Sequence, residues 1–163
     1  MALSSIRWKR YWPIQSNKYN KVVSSTSQAR DQTLFSVEFK VRDYECDMQG
    51  IVNNAVYFNY LEHARHEFLH SRGVDFTALA RDKVNLVVVR SEMDYKNSLT
   101  SGDKFEVTVA FEAISKLRFG FRQQVIRQPD GAVMLQALVI GTALNAKGRP
   151  FVPAELGLLA EPV

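Results

Sequence analysis

The chain has 163 residues, 46% hydrophobic and 23% charged, with a single cysteine and a formal net charge of +4. That length suits one domain with one core, no apolar run approaches the roughly 18 residues of a membrane span, and Cys46 alone excludes a disulfide framework. Residues 1–33 hold six basic side chains against Asp31, a net +5, while the remaining 130 residues carry 15 basic and 16 acidic ones. The near-neutral remainder offers no basic footprint for nucleic acid.

Residues 1–33 carry Ser4, Ser5, Ser16, Ser24, Ser25 and Ser27 and no periodic apolar pattern. Such a segment is expected to be at least partly disordered. Its basic, Ser-rich, acid-poor composition also fits an organelle transit segment, although Trp8, Tyr11, Trp12 and Tyr19 are unusual there. The expected location is cytoplasmic, with a plastid or other organelle as the alternative if this extension is a targeting segment. The expected organisation is an extension over 1–33, a domain over 34–153 and a loose tail over 154–163.

Phe35, Val37, Phe39 and Val41 alternate with Ser36, Glu38, Lys40 and Arg42, which predicts a half-buried strand. A tight loop follows, with Asp47 in it and Gly50 bending it. Asn53 or Asn54 is a good helix N-cap, because its side-chain oxygen can accept a backbone N–H. The predicted helix runs to about Ser71, where Gly73 stops it. Its apolar stripe is Tyr57, Leu61, Ala64 and Phe68, extended by Phe58 and Leu69. A short helical turn is expected over 75–81. Strands follow from Val84 towards Tyr95, from Phe105 to Phe111, from Arg118 to Arg127 and from Ala132 to Leu144, where Gly141 suggests a bulge. Ser98–Asp103 and Pro129-Asp130-Gly131 are turns. Short connections between the last strands predict antiparallel neighbours, so the fold class is α+β, with a long helix on an antiparallel sheet of about five strands.

The chemistry concentrates between Val41 and Phe68, VRDYECDMQGIVNNAVYFNYLEHARHEF. A carboxylate beside the unclaimed N–H groups of a helix start can act on an acyl carbonyl, the acid as base or nucleophile and the N–H groups on the developing oxyanion. The same helix carries His66-Glu67-Phe68-Leu69-His70, which matches the zinc-peptidase pattern H-E-x-x-H. A catalytic zinc needs three protein ligands, and the position where a third histidine would fall is Phe76. At about 100° per residue, His66 lies about 180° from Tyr57, His70 about 220° and His63 about 240°. All three histidines are thus expected opposite the apolar stripe, as a polar face.

Asp47-x-x-Gly50-x-Val52-x-Asn54-x-x-Tyr57, on a loop leading into a long helix before an antiparallel sheet, resembles the hotdog-fold acyl thioesterases. The likeness is to the 4-hydroxybenzoyl-CoA thioesterase-like branch, which includes bacterial acyl-CoA thioesterases and plant acyl-carrier-protein thioesterases of the methylketone-synthase type. It covers about residues 35–153. The resemblance implies a sheet curled around the helix, a homodimer with sites at the interface, and frequent pairing of dimers into tetramers. It implies that Asp47 is the catalytic carboxylate and that the backbone N–H of Asn54 polarises the thioester carbonyl. Many bacterial members have His at the latter position, whereas Asn is similar to the plant-type members and some bacterial subgroups, so the backbone role carries over and a side-chain role does not. Substrate contacts are then expected from Gly50, Asn53, Tyr57 and, near the turn between two strands, Ser115, Lys116 and Arg118, whose cations would meet the phosphates of CoA or the pantetheine arm.

Each assignment has a structural alternative: Asp47 as a turn former, Asn53 and Asn54 as caps, Tyr57 as core, and Ser115 to Arg118 as a solvated turn. The expected function is hydrolysis of an acyl-CoA or acyl-carrier-protein thioester to acid and thiol, with no cofactor, no metal and no membrane span. The alternatives are a non-catalytic acyl-CoA-binding module and, more remotely, a zinc metallopeptidase. Dehydratase chemistry is disfavoured because His63, His66 and His70 all sit well inside the helix.

Overall fold

The computed structural model describes residues 35–157 and 159. The expectations for residues 1–33 and for 160–163 lie outside the described residues. Strand β1 spans Phe35–Lys40, with Phe35, Val37 and Phe39 turned inward and the residues between them exposed. After a 3-10 turn at Asp43–Glu45 and the Asp47 loop, helix α1 spans Val56–Ser71 and helix α2 spans Phe76–Arg81. Strands β2 (Asn85–Tyr95), β3 (Lys104–Ser115), β4 (Arg118–Gln128) and β5 (Val133–Leu144) follow, then a two-residue β6 (Pro150–Phe151) and the short helix α3 (Ala154–Gly157).

The sheet order is β1-β3-β4-β5-β2, every pairing is antiparallel, and β6 adds to β5. Helix α1 lies against β1 and β3. The predicted stripe is what it buries: Leu61 and Ala64 are fully covered, and Tyr57, Phe68 and Leu69 nearly so. They meet Phe105, Val107 and Val109, the inward residues of β3. Burying side chains of this size contributes about 1.5–3 kcal/mol each, which is what holds the helix to the sheet. The α1 C-terminus closes as expected: Gly73 has φ +76, a left-handed conformation open to glycine, and the N–H of Val74 donates to the Leu69 carbonyl at 3.0 Å.

Four expectations need correction. The helix begins at Val56 rather than just beyond Asn53 and Asn54, and its N-cap is Ala55, which makes no side-chain cap. Gly141 is not itself bulged. The extra residue is Val89 in β2, where the register jumps from Val88↔Gly141 to Arg90↔Ile140. Gly141 instead makes room, since a Cβ there would stand 2.6 Å from the Phe119 ring. The stretch after Pro153 is not all loose: α3 buries Leu156 to 1% exposure, as part of the hydrophobic core. Phe58, expected to extend the apolar flank, is 47% exposed.

Candidate active site

The Asp47 loop is a tight reversal. Cys46 and Val52 form an isolated antiparallel bridge, and the Asp47 N–H donates to the Ile51 carbonyl at 2.9 Å. The Gly50 N–H donates back to the Asp47 carbonyl at 3.0 Å, with Gly50 at φ +77. A side chain at Gly50 would be strained by that backbone rather than by crowding. One carboxylate oxygen of Asp47, Oδ1, accepts the Gln49 N–H at 2.8 Å. Asp47 is thus both the turn former and a half-buried acid whose Oδ2 has no partner among the described residues. The two readings of this residue are compatible, because each uses a different oxygen.

Two anchors fix the loop to the body of the domain. Val52 N–H donates to the Leu99 carbonyl at 2.9 Å, and Ile51 bridges Thr100. Glu45, only 7% exposed, accepts the Tyr60 hydroxyl and the Arg42 N–H, each at 2.7 Å, and its backbone carbonyl takes the Asn53 N–H at 2.9 Å. Burial, reinforced by the Glu45 carboxylate, pushes the Tyr60 phenol far above its ordinary range. Tyr60 therefore stays a neutral donor, and the loop is tied to α1 from both sides.

Asn53 shapes the helix start without being its N-cap. Its Oδ1 accepts the Ala55 N–H at 2.9 Å and its carbonyl accepts the Val56 N–H at 2.9 Å. Among the described residues nothing accepts the Asn54 N–H. An uncapped helix start with an unclaimed N–H is a place for developing negative charge. The Asn54 side chain is exposed, while its carbonyl accepts the Tyr95 hydroxyl at 3.1 Å. Tyr95, at the end of β2, stacks edge-on against Tyr57. Burial raises both phenols.

The remaining predicted residues divide. Tyr57 is buried to 2% in the core, and its hydroxyl accepts the Leu99 N–H at 3.4 Å. Ser115, Lys116 and Arg118 form an exposed turn between β3 and β4, braced by the Leu117 N–H on Ser115 Oγ. The Asp47 loop lies at the opposite end of β3, where Ile51 bridges Thr100 just before the strand. At about 3.3 Å per residue the two regions stand roughly 40 Å apart along the strand, so one chain does not bring them together. His63, His66 and His70 are exposed, and the His66 ring meets the edge of Phe76. Among the described residues no three His, Cys, Asp or Glu side chains group as a metal site. Sequence reading missed Tyr95 and Glu45. Neither gave a local signal: Glu45 is one of three acids in Asp43–Asp47, and the partner of Tyr95 is 41 residues away.

Residues 41–160 match the family model described as Thioesterase-like superfamily. The chain belongs to this superfamily. Among its Thioesterase-like relatives, the acyl-acyl carrier protein thioesterase ATL3, chloroplastic, of Arabidopsis thaliana is 42% identical over 114 residues, 70% of this chain and 60% of that protein. The chain thus spans about three fifths of the two plant relatives it matches. The long-chain acyl-CoA thioesterase FadM of Escherichia coli is 29% identical over 111 residues, 68% of this chain and 83% of FadM. In structure, the 1,4-dihydroxy-2-naphthoyl-CoA thioesterase Slr0204 from Synechocystis superposes with a TM-score of 0.73 at 15% identity, covering 78% of this chain and 95% of that one. The architecture is therefore the hotdog fold, an antiparallel sheet around one long helix. Among the described residues no helix is long and apolar enough to cross a membrane.

Proposed function

We propose that this chain hydrolyses an acyl thioester to free acid and thiol, in fatty acid metabolism, with Asp47 as general base or nucleophile and the Asn54 N–H as oxyanion donor. The observation that carries this reading is the Asp47 carboxylate, anchored by Oδ1 and open at Oδ2, on a loop pinned beside an uncapped helix start. A thioester carbonyl is already electrophilic, and one well-placed N–H lowers the barrier by about 3–4 kcal/mol. In one route Asp47 takes a proton from water as the water attacks the carbonyl. In the other its oxygen attacks the carbonyl and the thiolate leaves as the C–S bond breaks, giving a mixed anhydride that water then opens to the free acid and the Asp47 carboxylate.

Both carriers are candidates. The plant relatives, named for acyl carrier protein, favour that carrier, while FadM is named for CoA. The chloroplastic plant relatives also favour residues 1–33 as a targeting segment, which sequencing of the mature N-terminus tests. Gly50 and Asn53 shape the site, and Ser115, Lys116 and Arg118 reach a thioester only if a second copy supplies them. A homodimer does this, and β2 is suited to pairing: it is an edge strand of 11 residues with Val88 and Val89 about half exposed. Two dimers then form the tetramer. Light scattering on the purified protein measures this directly, and a monomer would remove the three turn residues from the site.

The test of the function is turnover of acyl thioesters, offered on both CoA and acyl carrier protein, by wild type and Asp47→Ala. Equal rates would sink the assigned chemistry. Tight acyl-CoA binding without turnover would favour the binding-module alternative.

A further inference from the structure

The two ends of the sheet carry opposite charge. Because every pairing is antiparallel, the turns before β2, between β3 and β4 and between β5 and β6 gather at one end. The Asp47 loop and the turns over 96–103 and 129–131 gather at the other. At the first end, residues 81–84, 115–118 and 145–149 hold Arg81, Lys83, Lys116, Arg118, Lys147 and Arg149 against Asp82 alone, a net +5. At the second, residues 41–55, 96–103 and 129–131 hold two cations against five acids, a net −3. Within the basic group only Arg81 has an acid near it, Asp82 at 3.8 Å. Lys83, Lys116, Arg118, Lys147 and Arg149 are exposed and make no ion pair among the described residues.

The three basic turns are held side by side. Thr142 Oγ1 donates to the Leu117 carbonyl at 2.6 Å, which ties the β3–β4 turn to β5. Asn145 Oδ1 accepts the Lys147 and Arg149 N–H groups at 2.9 and 3.0 Å and so sets the β5–β6 turn. Asn85, which opens β2, pairs with Leu144, which closes β5, so the turn holding Lys83 adjoins that one. With strands about 4.8 Å apart, the three intervals from β3 to β2 span roughly 15 Å. Charges this close act together on a facing surface, since the screening length is about 8 Å at physiological salt.

Two aliphatic side chains sit among these cations. Lys116 and Leu117 form the apex of the β3–β4 turn, closed by the Ser115↔Arg118 pair, and Leu117 is 48% exposed. Ile114 is the extra residue of a bulge, where the register goes from Ala113↔Phe119 to Ser115↔Arg118. It is 38% exposed and lies over Gly120, where a Cβ would stand 3.0 Å from its Cδ1. Apolar contact and attraction between cations and anionic lipid add at a bilayer surface. A bilayer also takes a protruding apolar apex without a shaped socket, which an acidic protein would have to supply.

We infer that this end of the sheet docks the domain on an anionic lipid surface, with Leu117 and Ile114 at the acyl boundary and the five unpaired cations over the headgroups. The acidic end, with the Asp47 loop, then points away from the lipid. No part of this docking crosses the bilayer, and it stands apart from the thioesterase reading because binding alone reports it.

The experiment sediments the full chain with vesicles of phosphatidylcholine alone and with vesicles that also contain phosphatidylglycerol, at low and high salt. Wild type is compared with Leu117→Ser and with the double variant Lys147→Glu/Arg149→Glu, all confirmed folded by circular dichroism. Lys116 and Arg118 are left intact, because the proposed substrate contacts include them. Wild type is expected to bind only the vesicles with phosphatidylglycerol and to leave them at high salt. The double variant changes the facing charge by four, and at about fivefold per charge its binding should weaken more than a hundredfold. Leu117→Ser should weaken binding about tenfold through lost apolar burial. Absence of binding to the phosphatidylglycerol vesicles overturns the proposal. So does equal binding by wild type and both variants, as the basic residues 1–33 alone would give. Apo acyl carrier protein is the acidic-protein control: if it binds wild type but not the double variant, while vesicles bind neither, the face belongs to a protein partner and the lipid docking falls.

Discussion

Replacing Asp47 by asparagine and, separately, by alanine divides the two duties of this side chain. The Asp47 Oδ1 accepts the Gln49 N–H at 2.8 Å, and an amide oxygen can do the same. Asp47→Asn should therefore keep the turn and fall within about 0.5 kcal/mol of wild-type stability. Asp47→Ala loses that bond, at a net cost of about 0.5–1.5 kcal/mol, or roughly 2–4 °C in melting temperature per kcal/mol. Neither variant can take a proton from water or attack a carbonyl at neutral pH. Loss of a positioned general base lowers turnover by about 10²–10⁴-fold, and loss of a nucleophile removes the covalent route altogether. The assay follows thiol release with a thiol-reactive dye, alongside thermal melts of the three proteins. Expected is a common, near-complete loss of kcat with only the alanine variant less stable. An asparagine variant that keeps activity within about threefold of wild type would refute the role of the free oxygen. Activity that merely tracked melting temperature across the pair would reduce Asp47 to a turn former. A single turnover in heavy-oxygen water then distinguishes the routes, because only attack by Asp47 leaves label in its own carboxylate.

Glu45→Ala strands the buried Tyr60 hydroxyl and frees the Asp43–Glu45 turn; urea unfolding should show a loss of about 2–4 kcal/mol, and a loss below about 1 kcal/mol would mean the anchor is dispensable. Tyr95→Phe removes the bond to the Asn54 carbonyl, worth about 1 kcal/mol. It should lower kcat about fivefold with little change in melting temperature, and an unchanged kcat would show that the helix start needs no brace. Gly141→Ala drives a Cβ into the Phe119 ring and to within 3.1 Å of the Val87 carbonyl; the expected cost is about 1–3 kcal/mol, read by chemical denaturation, and a neutral result would mean Phe119 has room to move. Tyr57 and Tyr60 are buried with raised phenol pKa values, whereas the unfolded chain releases these protons near pH 10. Stability contributed by their neutral forms is fully present below pH 10 and declines above it, by about 1.4 kcal/mol per pH unit for each tyrosine. Denaturation at rising pH should show this slope, reduced by about one tyrosine's share in Tyr60→Phe, and a flat profile would contradict their burial.

Much of the fold was legible because its signals are local. The alternation of Phe35, Val37 and Phe39 survives as half-buried and exposed positions along β1, and the four-three-four spacing of Tyr57, Leu61, Ala64 and Phe68 survives as the buried face of α1. Gly50 and Gly73 each marked a backbone reversal through the left-handed conformation they adopt. The helix start was read one or two residues early for a physical reason. An asparagine can serve a helix N-terminus either as its cap or from just before it, and Asn53 does the latter by binding the Ala55 N–H. The error leaves the Asn54 N–H untouched, because an Asn54 side chain acting as cap would accept from an N–H two or three residues further on.

What escaped sequence reading is what depends on distant partners. Glu45 joins Tyr60 across 15 residues, Tyr95 joins Asn54 across 41, and Gln123 reaches back 62 residues to Leu61. Periodicity states which face of an element is covered, not which element covers it. The bulge shows the same limit. Gly141 drew attention as a small residue in a long strand, yet the extra residue belongs to its neighbour β2. Glycine could be there for either purpose, a bend or a close approach, and only the Phe119 ring above it decides in favour of the approach. The bulge at Val89 also sets which residues of β2 share the side of Leu86 beyond it. A feature misplaced by one strand in the sequence thus sets which side of β2 Met93 and Tyr95 occupy, where Tyr95 meets the Tyr57 ring.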